Sequence, residues 1–334
     1  MPKISVVMPI YNGEEFLPEA MDSILQQTMG DFEFLIVEEY GNGEACHRLL
    51  EEYAARDPRI RIISNSGSRL GIAASLNVGL DHATGEYIAR MDGDDLSHPD
   101  RFAQMAAYLQ AHPQADWDVD ICGVIPSVMN SPGWILENSS DPEAVRTACL
   151  FGVPLKHPTV MMRTQRINEL GLRYDPSLKG VEDFDFFFRA SLDTKLANIR
   201  EPSLFEYRRW AENASAVFLE RDVSIGRHML KASYQKYLGT TLTPMQTEVT
   251  WAVNNWKKGN SAYQKAALTE LQKLFYTLLD NKTVQQIYQR EALLESMRRK
   301  WRKVYTQIVN TNGGVKKTSS GVHRLYTNSE FFRP

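Results

Sequence analysis

Four times in the first 112 residues, a short apolar run is followed by a segment whose apolar residues recur at helical spacing. This alternation constrains the fold more than any other feature of the sequence. Residues 4–8 precede a stretch in which Phe16, Leu17, Ala20 and Ile24 share one face, and Phe34-Leu35-Ile36-Val37 precedes a helical 44–56. Residues 60–63 precede 70–82, with Ile72, Leu76 and Leu80 in register, and residues 87–91 precede a helical 99–112. Strand and helix in strict turn predict an α/β fold, a mostly parallel sheet flanked by helices on both faces. Residues 119–210 read as shorter, mixed elements, including a strand over 159–162 and a helix over 182–192. From residue 213 the pattern is helical, over 213–237, 245–257, 261–280 and 283–310, while the segment from Gly313 to Pro334 is rich in Ser, Thr, Gly and Lys. The predicted organisation is therefore an α/β domain over 1–210, with halves 1–118 and 119–210. A helical C-terminal region over 211–312 and a loosely ordered tail over 313–334 follow it.

In such sheets ligands bind outside the carboxyl ends of the strands. Pro9-Ile10-Tyr11-Asn12 follows the first strand, Glu38-Glu39 the second, Asn65-Ser66-Gly67-Ser68-Arg69 the third and Asp92-Gly93-Asp94-Asp95 the fourth. Three carboxylates within four positions repel one another, and a divalent cation is the natural means of keeping them all ionised. An all-oxygen donor set suits Mg²⁺ or Mn²⁺, which complete their shells with substrate phosphates and water. The bland alternative is a turn whose Asp residues cap the helix that follows.

Charge excludes one partner class. The net charge is −3, but residues 290–334 carry ten Lys/Arg against three Glu, or +7, which leaves −10 for residues 1–289. An acidic body argues against nucleic acid as a partner. The cysteines Cys46, Cys122 and Cys149 show neither a disulfide framework nor zinc-ligand spacing. No signal-peptide pattern and no apolar stretch of about twenty residues is present, so the expectation is a cytoplasmic protein.

Ser5-Val6-Val7-Met8-Pro9-Ile10-Tyr11-Asn12-Gly13, the acids after Leu35-Ile36-Val37, Gly71-Ile72-Ala73-Ala74-Ser75-Leu76-Asn77 and Met91-Asp92-Gly93-Asp94-Asp95 together resemble the family 2 glycosyltransferases of the GT-A fold. His157-Pro158-Thr159-Val160-Met161 and Glu182-Asp183-Phe184-Asp185 extend the likeness to about residue 210. The resemblance implies that residues 1–118 bind a nucleotide-sugar and residues 119–210 an acceptor. Asp92 and Asp94 form the D-x-D motif that touches metal and donor diphosphate, with Gly93 between them and Asp95 adjacent. Pro9 and Tyr11 fall at the donor base, with Tyr11 at the stacking position, and Glu39, or else Glu38, at the acid that bonds the base edge. Family members usually carry Asp at both positions, so the longer Glu bears on the preference for UDP. Arg69 reaches the base or a phosphate, or else is a solvated loop arginine.

The resemblance assigns Asp183 as the general base. A sugar hydroxyl is a poor nucleophile at neutral pH, and a carboxylate within reach must take its proton. Glu182 and Asp185 compete for the role. His157 is either a packed loop histidine or a group near the donor phosphates. Arg208 and Arg209 either close over the diphosphate or form an exposed cationic turn with Trp210. The expected activity is inverting, non-processive transfer from a UDP-sugar to a glycan or lipid-linked acceptor in bacterial cell-surface polysaccharide synthesis. The alternatives are a degenerate nucleotide-sugar-binding protein and a sugar-1-phosphate nucleotidyltransferase. The latter needs a basic Gly-rich loop where this chain has Tyr11-Asn12-Gly13-Glu14-Glu15. Residues 290–305, with Arg298, Arg299, Lys300, Arg302 and Lys303 beside Trp301 and Tyr305, read either as a peripheral contact with an anionic membrane or as a solvated face or homo-oligomer contact.

Overall fold

A computed structural model describes residues 2–65, 67–112, 119–129, 139–201, 204–209, 220–251, 260–314, 318–329 and 331. The chain divides into two compact units, residues 1–146 with 153–219, and residues 147–152 with 220–334.

The first unit opens with the alternation expected from the sequence. Strands β1 (Ile4–Ile10), β2 (Phe32–Glu38), β3 (Ile60–Ser64) and β4 (Tyr87–Arg90) are separated by helices α1 (Leu17–Leu25), α2 (Glu44–Arg56) and α3 (Ile72–His82). There follow β5 (Leu96–Ser97), α4 (Arg101–Ala111), β6 (Val119–Val124), β7 (Ser127–Val128), α5 (Pro142–Ala148), a 3-10 turn (His157–Thr159), β8 (Met161–Arg163), α6 (Thr164–Glu169), α7 (Glu182–Asp193), β9 (Lys195–Ile199) and β10 (Phe205–Tyr207).

The main sheet has the order β3-β2-β1-β4-β8-β6-β9. β1 runs parallel to β2 and β4, β2 to β3 and β6 to β9, while β8 alone runs against its neighbours. The sheet is therefore mostly parallel, and β1 and β2 are buried along nearly their whole length, as apolar strands covered on both faces should be. Ile4, Val6, Met8 and Ile10 of β1 share a core with Ala20, Met21 and Ile24 of α1 and Phe102, Met105 and Leu109 of α4. Val7 points the other way, towards α3. A Cβ built on Gly79 would sit 2.2 Å from its Cγ1, so only glycine permits this approach.

A small sheet of order β5-β10-β7 pairs Phe205 with Ser97 and Glu206 with Leu96 in antiparallel register. Continuing that register carries Arg208 back to Asp94, beside Asp95. The sequence reading placed a strand over 159–162; the structure gives the 3-10 turn first and the strand at Met161–Arg163.

The second unit is helical among the described residues, with α8 (Glu220–Leu238), α9 (Pro244–Trp251), α10 (Ser261–Asp280), α11 (Lys282–Ile287), α12 (Arg290–Thr311) and α13 (Ser320–Asn328). Residues 213–219 and 252–257 of the expected helices lie outside the described residues. Two expectations are corrected. The tail is not loosely ordered throughout: residues 320–328 form α13, capped by the Ser319 side chain on the Val322 N–H, with Val322 and Tyr326 buried. Residues 290–305 do not turn their aromatic face outwards. The stripe Leu293, Met297, Trp301, Val304 and Tyr305 is buried, Tyr305 stacks on Tyr326 at 3.7 Å and Trp301 is fully enclosed. The apolar stripe is met by other helices of the same unit, while Arg299, Arg302 and Lys303 stay exposed. Lys300, counted among the surface cations, is buried and donates to the Thr250 carbonyl at 2.6 Å. No described helix is long and apolar enough to cross a membrane.

Candidate active site

At the carboxyl end of β4, ligand oxygens of Asp92, Asp94 and Asp95 all lie within 4.8 Å of one another. The last residue of β4 is Arg90, a guanidinium in an otherwise apolar strand, and its side chain is 5% exposed. It grips Asp92 with both terminal nitrogens, at 2.7 Å and 2.8 Å, in the fork geometry that makes arginine–carboxylate pairs strong. The Asp92 side chain keeps 28% of its surface open to solvent. Burial, opposed by Arg90 and reinforced by Asp94, raises the pKa of Asp92 above the usual carboxylate range.

Asp95 is fully buried. One of its oxygens accepts the Arg208 N–H at 2.8 Å and the other has no hydrogen-bond partner among the described residues. Burial and then the Asp92 and Asp94 charges push its pKa well up. A three-carboxylate cluster in which Asp92 and Asp95 resist ionisation, with one buried oxygen left over, fits a divalent cation. Arg208 is drawn in by the small sheet. Its Nε donates to the Asp94 carbonyl at 2.7 Å, its guanidinium meets Glu19 at 2.6 Å and it lies 4.5 Å above the Phe16 ring.

The same Arg90 charge acts on a second group of acids. Asp183 and Glu182 open α7, and Arg90 lowers the pKa of both against the larger opposing effect of burial. Asp183 ends above its ordinary value, with one oxygen accepting the Phe184 N–H at 2.7 Å. Glu182 is pushed up to about 7 by burial and by Asp183, and its Oε2 has no partner among the described residues. Asp185 is committed elsewhere, to Arg189 at 2.6 Å.

On the other side, Tyr11 is 39% exposed and carries the Arg69 guanidinium 3.5 Å from its ring centre. Both glutamates are buried. Glu38 accepts from Asn42 at 2.9 Å and Ser64 at 3.1 Å and meets His47 Nδ1 at 3.0 Å. Glu39 accepts the Leu70 N–H at 2.8 Å and the Ser75 hydroxyl.

The Glycosyl transferase family 2 profile matches residues 5–141. An uncharacterized glycosyltransferase of Haemophilus influenzae is 30% identical over 250 residues, which cover 71% of this chain and 75% of that one. The chain belongs to glycosyl transferase family 2. The glycosyltransferase EpsE of Bacillus subtilis is 36% identical over 56% of this chain and 66% of its own length. Among solved structures, Staphylococcus aureus TarS 1-349 in complex with UDP-GlcNAc superposes with a TM-score of 0.60 at 17% identity, covering 93% of this chain and 90% of that one. That likeness concerns the GT-A fold alone.

Within the transferase, the strand-end residues Pro9, Tyr11, Glu38, Glu39, Arg69 and Asp92 to Asp95 gather at one edge of the parallel half of the sheet. His157 is a packed histidine: its Nε2 meets the Tyr174 hydroxyl at 2.8 Å, its ring sits edge-on to Phe187, and burial drives its pKa well below the ordinary value. Arg209 is exposed, and Trp210 lies outside the described residues. Arg90 escaped the sequence reading, although a charge inside the run Tyr87-Ile88-Ala89-Arg90-Met91 signals a buried cation in need of a partner. Tyr174 escaped it with no such signal. It stacks on Phe186 at 4.3 Å, and its backbone is held by both polar groups of the Asn77 amide.

Proposed function

We propose that the transferase moves a sugar from a nucleoside-diphosphate sugar, UDP-sugar foremost, to a hydroxyl of a glycan or lipid-linked acceptor, with inversion at the anomeric carbon. The observation that carries this reading is the cluster of Asp92, Asp94 and Asp95 at the carboxyl end of β4, whose ligand oxygens lie within 4.8 Å of one another and which Arg90 grips through Asp92. Asp92 and Asp94, with Asp95 behind them, would hold Mn²⁺ or Mg²⁺. Such a cation, when bound, supplies positive charge against the donor diphosphate.

The acceptor oxygen attacks the anomeric carbon as its bond to the diphosphate oxygen breaks, and the bonding pair leaves with the diphosphate. The acceptor's proton passes to the Asp183 carboxylate. A single displacement inverts the centre. The raised pKa of Asp183 supports this role, since a base must hold the proton that it takes. Tyr11 offers a ring for the base, and the fold neighbour solved with UDP-GlcNAc makes UDP the first nucleotide to try. We assign the pathway to bacterial cell-surface polysaccharide synthesis.

Thermal melts with UDP, GDP, dTDP and CDP, each with Mn²⁺, Mg²⁺ or EDTA, test the donor site. A rise in melting temperature that needs nucleotide and cation together is expected; no rise with any pair would remove the reading.

A further inference from the structure

Helix α12 turns its apolar stripe inwards and its cations outwards. Leu293, Met297, Trp301, Val304 and Tyr305 are buried, while Arg299, Arg302 and Lys303, three and four residues apart, share the opposite face with Arg298 beside them. Arg299 keeps 50% of its side chain open to solvent, and Arg302 and Lys303 are exposed. The result is a cationic ridge along one helix.

Elsewhere on the surface, arginines are balanced by acids. Arg48, Arg56 and Arg61, comparably open, each meet a glutamate, at 3.2 Å, 3.4 Å and 2.9 Å. On α12, Glu295 serves both Arg299 at 3.2 Å and Arg298 at 4.0 Å, and neither Arg302 nor Lys303 pairs with a carboxylate among the described residues. Lys303 also presses on the buried Lys300 ammonium, adding to the burial that holds its pKa down at about 7. Like charge is crowded here and left unrelieved.

Such a ridge calls for an anionic partner. A protein interface is anchored by buried aromatic or aliphatic groups, and the large hydrophobic residues exposed among the described ones, Tyr11, Tyr40, Ile72 and Tyr276, all lie off α12. A second copy, meeting the ridge across a two-fold axis, would set like charges face to face. The −10 carried by residues 1–289 disfavours a nucleic acid duplex. A sheet of anionic lipid headgroups needs neither an apolar anchor nor a shaped groove, and it attracts cations within a Debye length.

We propose that Arg299, Arg302 and Lys303 form a docking ridge for an anionic membrane surface, held by charge alone. With Trp301 and Tyr305 turned inwards, α12 has no aromatic group to insert, so salt reverses the contact. The ridge does not depend on the donor site, and the two can fail separately.

The test is co-sedimentation of the full chain with vesicles of phosphatidylcholine and phosphatidylglycerol in equal parts, and with vesicles of phosphatidylcholine alone. Two variants accompany it: the triple Arg299→Gln, Arg302→Gln, Lys303→Gln and a charge-matched triple, Arg48→Gln, Arg56→Gln, Arg61→Gln. Each cation near such a surface multiplies the partition by about fivefold, so the ridge triple should lose about 10²-fold and the charge-matched triple less than about threefold. The unaltered chain should not bind the neutral vesicles, and it should leave the mixed ones at ~0.5 M salt, where the Debye length falls to about 4 Å. Absence of binding to the mixed vesicles, equal binding to the neutral ones, equal losses in the two triples, or binding that survives the salt overturns the proposal. Tighter binding to a short duplex RNA than to the mixed vesicles, at equal salt, gives the ridge to nucleic acid and overturns it as well. Should the ridge triple unfold, Arg302→Gln alone decides: a loss of about fivefold supports the ridge and no loss overturns it.

Discussion

Replacing Arg90 by methionine removes a buried guanidinium that pairs directly with the acidic cluster. Arg90 holds Asp92 through two bonds of 2.7 Å and 2.8 Å with only 5% of its side chain exposed. Removing one partner of a buried ion pair typically costs about 3–5 kcal/mol. Asp92 is 28% open to solvent, which favours the lower end, about 3 kcal/mol. For a unit of this size each kcal/mol shifts the melting temperature by about 2–4 °C, so Arg90→Met should melt roughly 6–12 °C below the unaltered chain in EDTA. A cation bound by the cluster would replace part of the lost charge. Differential scanning calorimetry should therefore show Mn²⁺ raising the variant's melting temperature by more than it raises that of the unaltered protein. A drop under about 2 °C in EDTA, or equal Mn²⁺ shifts in the two proteins, would refute the view that Arg90 and a cation serve the same three carboxylates.

Asp183→Asn should lower kcat by about 10²-fold or more while leaving the nucleotide Kd within about twofold; retained turnover would move the base to Glu182. Lys300 is buried with its pKa pushed down to about 7, so its burial penalises folding fully below pH 7 and progressively less as pH rises towards the unfolded value near 10.5. Lys300→Met should stabilise the helical unit, by a margin that is flat below pH 7 and shrinks by roughly 1.4 kcal/mol per pH unit above it. Urea titrations from pH 6 to 9.5 read this directly, and a margin independent of pH would sink it. Gly79→Ala should destabilise by about 1–3 kcal/mol through its clash with Val7, and Val7→Ala should recover part of the loss in the same urea assay.

The parallel half of the sheet was legible because its strands are buried on both faces and read as continuous apolar runs, from Ile4 to Met8 and from Phe34 to Val37. Helix α2 was legible to the residue, over Glu44–Arg56. The strand-end rule singled out Tyr11, Arg69 and Asp92 to Asp95, which the structure places after β1, β3 and β4. What stayed hidden depends on contacts between distant residues. The pairing of β5 with β10, which ties Arg208 to Asp95, involves strands too short for any periodicity to show. The burial of Trp301 and Tyr305 was not legible either, because an amphipathic basic helix looks alike whatever its apolar stripe meets; here the stripe packs on α10 and α13. Nor does sequence show that Glu39 turns inwards, since its partners Leu70 and Ser75 lie 31 and 36 residues away.

β8 runs against its neighbours, so its leading end, rather than its trailing one, reaches the edge where β4 finishes, and the Arg90 N–H bonds the Val160 carbonyl there at 2.9 Å. The wall on that side is built from chain that arrives before a strand, the wall on the Tyr11 side from chain that departs after one. Lengthening or shortening the stretch ahead of Val160 would reshape one wall and leave the register of β1 to β4 untouched. A fold wired in this way can exchange one reaction partner for another without rebuilding the grip on the first.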